Sequence, residues 1–150
     1  MSFTTRTNIN AIIDGCEISN NTATISGGAI SFRNYSGNRT DQGHITIGIK
    51  MDSGLFENNT AVNYGGALHV ENTNIGYTSP QSEGDVVIMR GNTVTSAEEN
   101  NGNGGALYIA GNNANVTGST FFTTIAKNGG DGGAIYVEGY NANVFDSNFT

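Results

Sequence analysis

The tripeptide Gly-Gly-Ala occurs four times in this chain of 150 residues, at Gly27-Gly28-Ala29, Gly65-Gly66-Ala67, Gly104-Gly105-Ala106 and Gly132-Gly133-Ala134, and each copy runs into a short alternation of apolar and water-tolerant residues. A second element precedes each copy: Ile18-Ser19-Asn20-Asn21-Thr22-Ala23, Phe56-Glu57-Asn58-Asn59-Thr60-Ala61, Met89-Arg90-Gly91-Asn92-Thr93-Val94 and Phe121-Phe122-Thr123-Thr124-Ile125-Ala126. Another copy begins at Phe149. Periodicity of this length constrains the fold more than any local motif, because each repeat must bury its apolar face against the next.

The spacing separates frame from insertion. Gly104 to Gly132 and Phe121 to Phe149 are both 28 residues apart, which sets the bare unit; Gly27 to Gly65 and Gly65 to Gly104 are 38 and 39 apart. The excess falls where Gly, Asn, Asp and Ser crowd together, over Asn34 to Gly43, Asn72 to Gly84 and Ser96 to Asn103, the second of which holds the chain's one proline, Pro80. Such segments are expected to be loops outside the frame, where a repeat protein keeps its binding specificity.

Period two predicts strands at Ala29-Ile30-Ser31-Phe32, Ala67-Leu68-His69-Val70, Ala106-Leu107-Tyr108-Ile109 and Ala134-Ile135-Tyr136-Val137. A second family is predicted at Ile45 to Ile49, Val86 to Ile88, Asn115 to Thr117 and Asn143 to Phe145. No segment keeps apolar residues at helical spacing for three turns. The fold class is therefore all-β, a parallel β-helix of four to five coils forming one domain over residues 1–150. Three inward ladders are expected: Ile30, Leu68, Leu107 and Ile135; Phe32, Val70, Ile109 and Val137; and Ile18, Phe56, Met89, Phe121 and Phe149. The corner glycines Gly27, Gly28, Gly65, Gly66, Gly104, Gly105, Gly132 and Gly133 should supply positive φ or close backbone approach. Asparagine amides at the corners should bond to their equivalents above and below.

Thirteen acidic against six basic residues, the latter scattered, argue against a nucleic-acid footprint. No run approaches a membrane span, and the N-terminal stretch has no signal-peptide pattern. A stack this short, ending inside a repeat at Asn148-Phe149-Thr150, is expected to be a piece of a longer protein or to be capped by a neighbour. Cys16 stands alone and reads as a buried small residue.

The repeated Gly-Gly-Ala-Ile/Leu, paired with Phe-x-x-Asn-type elements such as Phe56-Glu57-Asn58-Asn59, resembles the repeat of chlamydial polymorphic outer-membrane proteins and of similar adhesin-like microbial proteins. The likeness runs from about Ile12 to Thr150, with the Phe-x-x-Asn element degenerate at Ile18, Met89 and Phe121. The resemblance implies a right-handed β-helix passenger, displayed extracellularly or at the cell surface, exported as an autotransporter and engaged in adhesion. Its partner would be a host or neighbouring-cell surface protein or glycan.

Enzymatic β-helices set carboxylates or calcium on the outer face of a strand ladder. The outward positions here are Ser31, His69, Tyr108 and Tyr136, with no carboxylate, and Glu71 and Glu138 are not evidently matched in adjacent coils. The run from Asn128 to Gly133 resembles calcium-binding glycine- and aspartate-rich repeats, but it occurs once and reads more simply as a tight corner. His44 and His69 have no metal-ligand spacing and read as surface residues. No catalytic, cofactor or metal residue is assigned. Tyr108 and Tyr136, near His69, are expected to stack on the outer face, where they read first as cover for the sheet and second as a ligand-contact surface. The first functional reading is a non-catalytic binding module. A fibre subunit associating end to end is the second, and a polysaccharide-degrading enzyme the third.

Overall fold

The computed structural model describes residues 1–5, 9–34, 47–51, 53–71, 76–78, 87–96, 102–110, 115–139 and 141–150. Within them the secondary structure is all strand, arranged as a parallel β-helix. After β1 (Ser2–Thr5), the first coil is β2 (Ile9–Ile13), β3 (Cys16–Ser19), β4 (Thr22–Ala23) and β5 (Ile30–Asn34). The second is β6 (Ile47–Met51), β7 (Gly54–Glu57), β8 (Thr60–Ala61) and β9 (Leu68–Glu71). The third is β10 (Gly76–Thr78), β11 (Val87–Arg90), β12 (Thr93–Val94) and β13 (Leu107–Ala110). The fourth is β14 (Asn115–Thr117), β15 (Ser119–Phe122), β16 (Ile125–Ala126) and β17 (Ile135–Glu138), followed by β18 (Asn143–Phe145) and β19 (Asn148–Phe149).

Equivalent strands of successive coils pair in parallel and build four walls: β1-β5-β9-β13-β17, β2-β6-β10-β14-β18, β3-β7-β11-β15-β19 and β4-β8-β12-β16. Register follows the repeat residue by residue, so Leu107 lies between Leu68 and Ile135, and Met89 between Phe56 and Phe121. All three expected ladders point inward. Phe56, Leu68, Met89 and Leu107 are fully buried, as are Val70 and Ile109, while Ile18, Ile135 and Val137 pack against them half-buried. Each fully buried large side chain contributes about 1.5–3 kcal/mol. Phe149 continues its ladder by stacking on Phe121 at 5.0 Å between ring centroids.

The glycine pair divides its work. The first member of each pair has positive φ: 65° at Gly27, 59° at Gly65, 69° at Gly104 and 65° at Gly132, a region that costs other residues strain. The second member of the first three pairs lies against the next coil. A Cβ on Gly28 would overlap the carbonyl oxygen of Gly66, one on Gly66 that of Gly105, and one on Gly105 that of Gly133. The alanine that follows passes its N–H to the alanine carbonyl one coil on, Ala29 to Ala67, Ala67 to Ala106 and Ala106 to Ala134, each at 2.9 Å.

A second corner carries the asparagines. Asn20 and Asn58 adopt positive φ, as do Gly91 and Thr123 at the same position of later coils. The next residue turns inward: Asn21 Nδ2 donates to Asn59 Oδ1, and Asn59 Nδ2 to Asn92 Oδ1, both at 3.1 Å. Asn59 and Asn92 are fully buried, and their Nδ2 groups also donate to the carbonyls of Ile18 and Phe56, at 2.9 Å each.

Three sequence expectations are corrected. Val87-Ile88 belongs to β11, in the wall of the Phe56 and Phe121 ladder, and not with Ile47–Met51; the position opposite β6 is filled by β10. The segment Asn72 to Gly84 is thus not wholly an insertion, because Gly76–Thr78 pairs with both β6 and β14. Cys16 is exposed, with Sγ 3.2 Å from the carbonyl oxygen of Asp14; it shares the inward face of β3 with Ile18 and lies in register with Gly54 and the buried Val87, but β3 is the end strand of its wall among the described residues. Residues 35–43, 72–75, 79–84 and 97–101 of the three spacers lie outside the described residues, as does His44.

Candidate binding face

The outer side of the β5-β9-β13-β17 wall carries the column Ser31, His69, Tyr108 and Tyr136, placed there because Ile30, Leu68, Leu107 and Ile135, one residue earlier, point inward. Parallel register sets equivalent residues about 4.8 Å apart, so the rings stack. His69 and Tyr108 have centroids 5.2 Å apart and planes 15° apart; Tyr108 and Tyr136 follow at 5.3 Å and 10°. Ser31 Oγ lies 3.1 Å from His69 Nδ1.

The column is covered to a degree its alternation did not foretell. Ser31, His69 and Tyr108 are only 4%, 3% and 7% exposed, so the surface reading of His69 is corrected; of His69, Tyr108 and Tyr136, Tyr136 is the least buried, at half-buried. Part of the cover is Tyr64, which sits at the corner before Gly65, bridged in register to Ser26 and Asn103. Its ring centroid is 4.7 Å from that of Tyr108 and 6.1 Å from that of His69. Tyr64 falls in neither repeated element, and its counterparts Ser26 and Asn103 are small and polar, so repetition hid it. A bulky ring two residues before Gly-Ala was the available signal.

Burial sets the protonation of the stack. It lowers the His69 pKa to about 4, helped by the positive charge of Arg33, and leaves the imidazole neutral at neutral pH. Burial also drives the Tyr108 phenol well above its ordinary value, reinforced by the hydrogen bond it donates to Glu138 Oε2 at 2.9 Å. Ser31 and His69 have the contact of a nucleophile and its base. A base that titrates near 4 takes up little proton at neutral pH, and a serine this deeply covered gives no acyl or glycosyl group a path to it.

Two carboxylates of the frame are engaged locally. Glu57 pairs with Arg90 at 2.7 Å, and Asp14 Oδ1 accepts from Ser53 Oγ at 2.7 Å. In the Asn128 to Gly133 corner, the Asp131 N–H donates to Asn103 Oδ1 at 2.9 Å and Asn128 Nδ2 donates to the Ser96 carbonyl. This is the geometry of a turn packed on the coil before it. Among the described residues no three of His, Cys, Asp and Glu gather to hold a metal ion, and no helix is long and apolar enough to cross a membrane.

The family model of the Chlamydia polymorphic membrane protein repeat matches residues 15–33 and 53–71. These stretches are the same part of coils one and two, from β3 through the glycine pair to β5 and from β7 to β9. Coil three carries the same strands with more chain between Val94 and Gly104. Neither the curated proteins nor the solved structures gave a match.

Proposed function

We propose that this chain is a non-catalytic binding module of adhesin type, displayed at a cell surface, in which a β-helix carries variable segments to a partner. The observation that supports this most is the coincidence of the family match with the frame. The matched stretches are the corners and inward ladders of two coils, and the family is described as one of membrane proteins. The parts of the three spacers outside the frame strands, residues 35–43, 72–75, 79–84 and 97–101, stand between frame strands in the sequence, where variation leaves the ladder residues untouched. The partner is a host or neighbouring-cell surface protein or glycan, with Tyr136 at the margin of the contact.

The test is binding of the labelled chain to intact cells. Saturable binding, competed by unlabelled chain and lost after protease or glycosidase treatment of the cells, is the expected result. Protease sensitivity identifies a protein partner and glycosidase sensitivity a glycan. Absence of saturable binding across epithelial and microbial cells, or turnover of pectin-like polymers by the chain, would overturn the proposal.

A further inference from the structure

The tyrosine cluster has a chemistry that sugar or protein binding does not use. Tyr64 and Tyr108 are the closest ring pair among the described residues, at 4.7 Å between centroids, and their planes are tilted by 36°. Tyr136 lies nearly parallel to Tyr108 at a longer distance. Joining two phenols through their ortho carbons needs an edge of one ring to approach an edge of the other, which a tilted pair allows and a parallel stack resists. The Tyr108 hydroxyl already donates to the Glu138 carboxylate at 2.9 Å, so the phenolic proton has an acceptor at the moment an electron leaves. Both partners are held by the frame, Tyr64 through its bridges to Ser26 and Asn103 and Tyr108 within β13. Tyr64 is half-buried, within reach of an oxidant at the surface.

We propose that Tyr64 and Tyr108 are an oxidative coupling site, in which a haem peroxidase and hydrogen peroxide convert the pair to an intramolecular dityrosine, with Glu138 receiving the Tyr108 proton. Each phenol gives up one electron and one proton to become a phenoxyl radical. The two ortho carbons then form a bond, and the hydrogen on each of those carbons moves to the ring oxygen, restoring two phenols. The protein loses two hydrogen atoms in all, and one hydrogen peroxide is reduced to two waters. The product staples the corner of coil two to the wall of coil three. This chemistry is independent of what the module binds.

The experiment treats the whole chain with peroxidase and hydrogen peroxide, isolates the monomer and maps its peptides by mass spectrometry alongside dityrosine fluorescence. The expected product joins the Tyr64 and Tyr108 peptides and is two hydrogens lighter than their sum. It disappears in Tyr64→Phe and in Tyr108→Phe, persists in Tyr136→Phe, and falls several-fold in Glu138→Gln. Circular dichroism establishes that each variant is folded. No such monomeric link in the unsubstituted chain, or a link that survives Tyr64→Phe, would overturn the site; an unchanged yield in Glu138→Gln would overturn the proton-acceptor role.

Discussion

At the scale of single residues, the frame depends on positions where a methyl group has nowhere to go. A Cβ at Gly66 would meet the Gly105 carbonyl oxygen and the backbone of Thr93, neither of which can swing aside. Gly66→Ala should therefore cost roughly 2–3 kcal/mol in denaturant melts. Gly133 has the same sequence context but open space, its nearest neighbour being the Thr124 carbonyl oxygen at 3.9 Å. Gly133→Ala should change stability by less than about 0.5 kcal/mol. Equal losses at both positions would contradict the close-packed reading. His69 makes a separate prediction through pH. Its pKa is lowered from 6.5 to about 4 on folding, so between those values the unfolded chain binds more protons and stability rises with pH. The contribution is present above about pH 6.5 and is lost as pH falls through about 4, with a ceiling of about 3 kcal/mol from this side chain. Urea midpoints across that window should slope for the unsubstituted chain and flatten in His69→Phe.

At the scale of elements, the asparagine ladder ties three coils through side chains. Asn59 donates to Ile18 and Asn92 and accepts from the backbone N–H and Nδ2 of Asn21. Asn59→Ala removes all four bonds and leaves Asn92 Oδ1 only the Asn59 backbone N–H, for an expected loss of roughly 2–4 kcal/mol. The ladder stops where coil four has Thr124, so Thr124→Asn should extend it and gain about 0.5–1 kcal/mol by thermal melting. The same ladders explain what could be read beforehand. Leu68-His69-Val70 and Leu107-Tyr108-Ile109 alternate cleanly beside a fixed glycine pair, so their register followed from counting. Strand β10 did not, because Gly76-Tyr77-Thr78 has no apolar alternation and sits among turn residues. The apolar run Val87-Ile88 does not say which of two inward walls it lines; the register of Met89 with Phe56 and Phe121 decides it. Alternation alone sets His69 on the outer face, and a neighbour outside both repeated elements, Tyr64, supplies part of its cover.

At the scale of the whole molecule, stability accumulates coil by coil through nearest-neighbour contacts. The 36% hydrophobic content suffices because it is concentrated in continuous inward columns. The frame and the spacers are then separable, and that separation is the central claim. Replacing residues 35–43, 79–84 and 97–101 together by Gly/Ser sequence of equal length leaves β1 to β19 intact in sequence. Cell binding and circular dichroism measured on this chain, beside the unsubstituted one, test the claim most directly. The account predicts an unchanged β-sheet spectrum with cell binding reduced at least about tenfold, the equivalent of 1.4 kcal/mol. Retained binding on an intact fold would place recognition on the frame itself, and loss of the β-sheet spectrum would show that the spacers are part of what holds the coils together; either result would contradict it.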